Sequence, residues 1–256
     1  MTAEVRLEQS GSVGWIVFDH PQRHNAVTGP MLDQLLGLLD RVAQEDTIRV
    51  VALRGAGDAA FVSGADISAF GSANGVDQGP RPEHFVGVLS EMAKPVLAVM
   101  RGWCLGAGVL LALAADLRIA GDDLRIGIPA GRLGVAYPRL GIDRIVTLAG
   151  PAVAAELLMT ADRFGADWAV RTGLVNRVVP AGELFGAAQD LAETMAANAP
   201  LTMTASKRTI TSVLTPADVR SKEQADAAIA ACYASADFRE GQDAFVGKRP
   251  PRFLGR

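Results

Sequence analysis

Residues 96–120 read VLAVMRGWCLGAGVLLALAADLRIA, and their order decides the fold class. The run 95–100 is apolar after its proline and reads as a strand. Residues 101–108, RGWCLGAG, form a glycine-rich turn, because glycine allows unusual backbone angles and close approach. Residues 109–115 are Leu, Ala and Val and read as a helix. Residues 117–120 return to a strand. Strand, turn, helix and strand within so short a span is the α/β pattern.

A similar succession precedes it. Residues 13–18 read as a strand that ends at His20-Pro21. Thr28 is placed to N-cap a helix with Pro30 in its first turn. The apolar face of that helix is Leu32, Leu35, Leu36, Leu39, Val42 and Ala43, at helical spacing. A strand over 48–53 and a turn over 54–58 lead to Ala60-Phe61-Val62-Ser63-Gly64-Ala65-Asp66. The unit of strand, helix, strand and glycine-rich turn therefore occurs over 13–66 and, more loosely, again over 96–120. Residues 71–84 are rich in glycine and proline and predict a mobile loop. A helix over 85–92 follows it.

Further along, the pattern predicts a strand over 124–127, helices over 139–149, 151–159 and 166–172, and a last strand over 174–179. Pro180-Ala181-Gly182 breaks that strand. The chain then turns Ala-rich and helical, over 183–198, 200–213 and 216–236. It divides into a core over 1–182 and a helical C-terminal region over 183–256, which packs on the core, on another subunit, or on both.

With 49% apolar residues, the 256-residue chain can bury a large core, which excludes general disorder. A net charge of −3 argues against a broad nucleic-acid surface. Cys104 and Cys232 lie far apart with no CxxC spacing, so neither a disulfide framework nor a metal site is expected. Reduced thiols fit a cytoplasmic setting. The N-terminus lacks the basic and apolar blocks of a signal peptide. The apolar run 109–115 is too short to span a bilayer, so no membrane partner is expected.

Two segments can carry chemistry: Ser63-Gly64-Ala65-Asp66, and Gly102-Trp103-Cys104-Leu105-Gly106-Ala107-Gly108. The second runs straight into a helix, where free N–H groups and the positive helix end point one way. Two such N–H groups converging on one oxygen make an oxyanion hole. As bare sequence, both segments also fit simple tight turns. A dinucleotide fingerprint fails, because Leu111 stands where its third glycine belongs.

Arg23-His24-Asn25-Ala26-Val27, the segment from Ala60 through Ile67, and Leu105-Gly106-Ala107-Gly108 resemble, in order and spacing, three landmark segments of the crotonase, or enoyl-CoA hydratase/isomerase, superfamily. Ala115-Asp116-Leu117-Arg118-Ile119-Ala120, Gly173-Leu174-Val175-Asn176-Arg177-Val178-Val179 and the tail from Glu240-Gly241 to Phe253 are similar to it as well. The resemblance covers essentially the whole chain. It implies an α/β spiral of repeated ββα units, with a helical C-terminal region that forms trimers, often paired into hexamers. It implies an acyl-CoA substrate, with coenzyme A arriving as part of the substrate and no other cofactor. The backbone N–H groups of Ala65 and Ala107 would hold the thioester oxygen. Arg23, His24, Ala26, Ser63, Gly64, Asp66, Ile67 and Gly106 would cradle coenzyme A. Phe245 and Lys248 match tail positions that contact adenine and phosphate, from the same or a neighbouring subunit. A Phe face can stack on a purine, and a Lys is a compact charge for phosphate.

The chain departs from this family at the proton-transfer positions. Family hydratases use two glutamates, one on the helix three residues beyond the second oxyanion residue and one after an Ile-Gly-x-Pro turn. Here those positions hold Leu110 and Ala130. Neither side chain moves a proton, so ordinary two-glutamate hydration is not expected. Tyr137 is a candidate to donate a proton or a hydrogen bond, or else to form a wall of the acyl pocket. Arg132, Glu83 and His84 are further polar candidates, while Asp66, Asp116 and Asp143 read as turn or cap carboxylates. The implied function is an enolate-forming lyase or isomerase acting on acyl-CoA. A malonyl-type-CoA decarboxylase and a non-catalytic acyl-CoA-binding protein are the alternatives.

Overall fold

In the computed structural model, which describes residues 3–66, 81–214 and 219–256, strand β2 (Val13–Asp19) sorts its side chains by alternation. Ile16 and Phe18 enter one core, while Val13, Trp15 and Val17 enter another. A strand apolar on both faces has to be covered on both. It lies in a six-stranded sheet with β1 (Glu4–Ser10), β3 (Val50–Gly55), β5 (Val96–Met100), β7 (Leu117–Gly121) and β10 (Arg177–Val179). The order is β1-β2-β3-β5-β7-β10, antiparallel only between β1 and β2. A second sheet holds β4 (Ala60–Val62), β6 (Trp103–Leu105), β8 (Arg125–Gly127) and β9 (Arg163–Gly165), in that order.

The chain alternates between the sheets: β3 passes to β4, β5 to β6, and β7 to β8. Helices α2 (His84–Glu91), α3 (Ala107–Ala114) and α4 (Ala130–Leu133) follow those three pairs. This is the expected spiral of ββα units. Helix α1 (Gly29–Gln44) starts where expected, with Thr28 Oγ1 accepting from the Met31 N–H at 3.4 Å. Its Leu35 and Leu39 are buried against the sheet, each contributing about 1.5–3 kcal/mol. Helix α3 is buried all round, from Ala107 to Ala114.

Helix α5 (Arg139–Met159) kinks at Gly150, just before Pro151, so it matches the two helices read from the sequence. After α6 (Ala166–Arg171), helix α7 (Leu184–Ala197) covers the second sheet face with Leu184, Ala188, Ala192 and Ala196. Alanine at every fourth position lets the helix lie close to the strands. The first helix of the C-terminal region thus packs on the core. Helices α8 (Pro200–Leu214), α9 (Val219–Ala234) and α10 (Ala236–Val246) follow. Lys207 on α8 is buried and donates to Leu89 O at 2.8 Å, Lys94 O at 3.2 Å and Asp116 Oδ2 at 2.8 Å. Three acceptors match its three protons, which is what a buried ammonium requires.

Several boundaries differ from the sequence reading. Strand β1 is added at the N-terminus, and β9 lies between two expected helices. Residues 101–108 hold the short strand β6 inside the glycine-rich stretch. The last strand is confined to Arg177–Val179 rather than 174–179. The helix expected over 216–236 ends at Ala234, and Ser235 caps a separate α10 by accepting from the Phe238 N–H at 3.1 Å. His84 opens α2 instead of ending a loop, and residues 71–80 of that expected loop lie outside the described residues. Among the described residues, no helix is long and apolar enough to cross a membrane.

Candidate active site

Strands β4 and β6 are parallel neighbours, with Ala60 opposite Trp103 and Val62 opposite Cys104. Their C-terminal ends therefore emerge together, and each leads within two residues to a glycine followed by an alanine. Gly64 has φ +128° and Gly106 has φ +49°, angles that L side chains rarely adopt. The two turns touch: a Cβ on Gly106 would lie 4.0 Å from Gly64 Cα, and one on Gly64 would lie 3.7 Å from Leu105 O. Gly108 presses the start of α3 onto β4, since a Cβ there would fall 2.0 Å from Val62 O.

This packing leaves two backbone donors open. Ala65 pairs with Val27 in a parallel bridge, in which Val27 N–H donates to Gly64 O and Asp66 N–H donates to Val27 O. The Ala65 N–H points the other way and has no acceptor among the described residues. Ala107 is the first residue of α3, so its N–H has no partner within the helix and none elsewhere among the described residues. The positive end of the α3 dipole adds to it.

The segment 23–27 lies against 63–66. Ser63 Oγ donates to Arg23 O at 3.0 Å, and Ser63 N–H donates to His24 O at 3.1 Å. Thus Arg23, His24, Ala26, Ser63, Gly64 and Asp66 come together beside Ala65. Ile67 lies outside the described residues. Sequence reading passed over Asn25, which organises this corner. It is 1% exposed with φ +58°, accepts from His20 N–H at 2.9 Å, and donates to Ala56 O at 3.0 Å and Ala60 O at 2.9 Å. An Asn with positive φ holding three backbone groups has the character of a turn residue. The only hint in the sequence was the succession His20-Pro21 followed by His24-Asn25.

Leu110 lies on α3, one turn beyond Ala107, and is 3% exposed. Ala130 begins α4, half-buried against the main core. Tyr137 and Leu110 both press on Gly141: a Cβ on Gly141 would fall 2.6 Å from Tyr137 Cε1 and closer still to Leu110 Cδ2. Only glycine leaves room for that ring and that Leu. The Tyr137 hydroxyl donates to Gly106 O at 3.0 Å. Burial pushes its pKa well above the ordinary phenol value, so it is a weaker acid than a free tyrosine.

Glu83 precedes α2 with no capping side-chain hydrogen bond, and several of the other polar candidates are engaged elsewhere. Arg132 pairs with Asp162. Asp143 pairs with Arg139 one turn away, at 3.5 Å. Asp116 accepts from Val96 N–H and from Lys207. The His84 ring stands edge-on to Phe85. Cys104 is buried, which pushes its thiol pKa up, and it forms no disulfide with Cys232. Among the described residues, no cluster of His, Cys, Asp and Glu could hold a metal ion.

The tail is not joined to the two turns by any hydrogen bond or ion pair among the described residues. Phe245 is 86% exposed on the last helix. Lys248 is exposed with φ +49°, at the point where the chain leaves α10. The chain beyond it folds back: Arg249 donates to both Glu240 oxygens at 2.6 and 2.8 Å, and Asp237 accepts from Leu254 and Gly255 N–H. Arg249 holds the Glu240 carboxyl down to about 2.

The model of the Enoyl-CoA hydratase/isomerase family matches residues 8–256. A short-chain-enoyl-CoA hydratase of Clostridium acetobutylicum is 31% identical over 96% of this chain and 95% of its own. A carnitinyl-CoA dehydratase of Proteus mirabilis is 32% identical over the full length of both. Among solved structures, an enoyl-CoA hydratase from Mycobacterium marinum superposes with a TM-score of 0.88 at 32% identity, covering 100% of each chain.

Proposed function

Because the chain belongs to the enoyl-CoA hydratase/isomerase family, we propose that it is a lyase-type enzyme that binds an acyl-CoA thioester and stabilises its enolate. The carrying observation is the pair of unpartnered N–H groups, Ala65 and Ala107, at the ends of two adjacent parallel strands. Both donate to the thioester oxygen. Negative charge grows on that oxygen as the enolate forms, and donors already aimed there need no reorganisation. The segments 23–27 and 63–66, which lie against each other, take coenzyme A together with Ile67. Phe245 and Lys248 reach the adenine and phosphate of a nucleotide, and their exposure supports contact across a subunit boundary.

A trimer, or two trimers face to face, fits the apolar side chains left open on the last helices: Ile210, Val213, Tyr233, Phe245 and Val246 are each more than 60% exposed. Coenzyme A enters as part of the substrate, and the enzyme works in the cytoplasm with no further cofactor.

The reaction is not ordinary two-glutamate hydration, because Leu110 and Ala130 carry no proton. Loss of CO2 from a malonyl-type thioester is the second reading. The departing carboxylate leaves its electron pair on Cα as the enolate, so no protein base is needed to create the charge. The apolar wall at Leu110 favours it. A panel of crotonyl-, malonyl- and methylmalonyl-CoA tests the reading. Turnover of a malonyl-type thioester supports decarboxylation, and tight binding with no turnover of any member identifies a binding protein instead.

A further inference from the structure

We infer that Tyr137 is a positioning residue that acts on the oxyanion through the peptide group joining Gly106 to Ala107. The inference rests on the reading of Ala107 N–H as an oxyanion donor. The carbonyl and the N–H of one trans peptide point in opposite directions. Here the carbonyl end is Gly106 O, which receives the Tyr137 hydroxyl at 3.0 Å, and the other end is the open Ala107 N–H. A donor at one end and an anion at the other polarise the same group, so each strengthens the other.

The rest of the geometry holds that peptide still. Gly106 O also accepts from Val109 N–H at 3.0 Å and Leu110 N–H at 3.2 Å, and Gly106 N–H donates to Gly127 O at 3.0 Å. With φ +49° and ψ −107°, Gly106 sets a peptide plane that no side chain of its own supports. Tyr137 supplies the support from outside the helix. Its ring is fixed against Gly141 and Leu110, so the hydroxyl is aimed by packing. Its single proton is committed to Gly106 O, which leaves none for the substrate.

Tyr137→Phe keeps the ring and removes the hydroxyl, and Gly106 O keeps its two helical donors, so the fold survives. The probe is butyryl-CoA with a 13C-labelled thioester carbonyl, read by difference infrared spectroscopy, which needs no turnover. The wild-type protein should shift that band to lower frequency, and Tyr137→Phe should retain most but not all of the shift. Cooperative strengthening of 10–30% in a donor worth 10²–10³ in kcat predicts a kcat about two- to eightfold lower. KM should be unchanged. A wild-type band that does not move overturns the oxyanion reading itself. A band equally shifted in both proteins, with equal kcat, overturns the role of Tyr137. A full shift with kcat lowered by about 10² or more overturns it in favour of proton donation.

Discussion

One wall of the proposed site is made of backbone and another of side chains, and the two differ in what they require. The backbone wall consists of two glycine–alanine turns at the ends of paired strands, and its open N–H groups belong to the main chain, with Tyr137 bound to the far end of one of their peptides. The other wall holds Leu110, which is apolar, and Tyr137, whose hydroxyl is spent on a backbone carbonyl. In the proposed reading, binding and charge stabilisation belong to the first wall, and any proton transfer would have to come from the second. A single substitution can therefore silence the second wall without touching the fold of the first, because the donors are part of the sheet and the helix.

The largest effect expected is on hydration. Each missing acid or base costs about 10²–10⁴, so crotonyl-CoA hydration should run orders of magnitude below that of an efficient hydratase. Introducing Leu110→Glu with Ala130→Glu should raise it, as long as the new carboxylate beside Tyr137 and Gly141 is tolerated. A wild-type rate in the range of a good hydratase breaks the division between the walls. Next in size is Ala107→Pro, which deletes one N–H at the first position of α3, where proline is accepted. Turnover should fall by about 10²–10³ with substrate binding far less affected. Unchanged turnover in a folded variant, checked by circular dichroism, removes this turn from the oxyanion hole.

A smaller change sharpens the outer edge of the site. Lys248→Ala should weaken acyl-CoA binding about two- to fivefold at low salt and less at high salt, as for any exposed charge contact. Equal calorimetric affinities at both salt levels place the nucleotide away from the tail. The smallest effect concerns pH. Burial keeps the Tyr137 phenol protonated past its ordinary range, so the ratio of wild-type to Tyr137→Phe turnover should stay flat up to about pH 10. A ratio that collapses below that pH means the hydroxyl ionises and is more open to solvent than its packing indicates.

Local signals made much of the architecture readable. Thr28 and Pro30 announce α1, Gly150-Pro151 announces the kink in α5, and the turn at 101–108 announces the start of α3. Much of what stayed hidden, β1 apart, has a common cause. Strands β6 and β9 are three residues each, too short to show a period, and they exist only because neighbours supply their hydrogen bonds. Asn25 is one polar letter whose three partners lie on separate segments. Gly141 looks like any helical glycine until Leu110 and Tyr137 are seen pressing on it.

By itself, the sequence determined which residues line the two turns and that no carboxylate stands at positions 110 and 130, since identity and spacing are local facts. It also determined that the chain beyond residue 183 is helical, from its Ala-rich composition. Only the tertiary structure decided that the Ala65 N–H faces away from Val27, that the Tyr137 hydroxyl is spent on Gly106 O, and that Phe245 is exposed. Each of these depends on the relative placement of segments tens of residues apart. Hydrogen bonds and packing act through space, so that placement is set by the fold and not by the neighbouring letters.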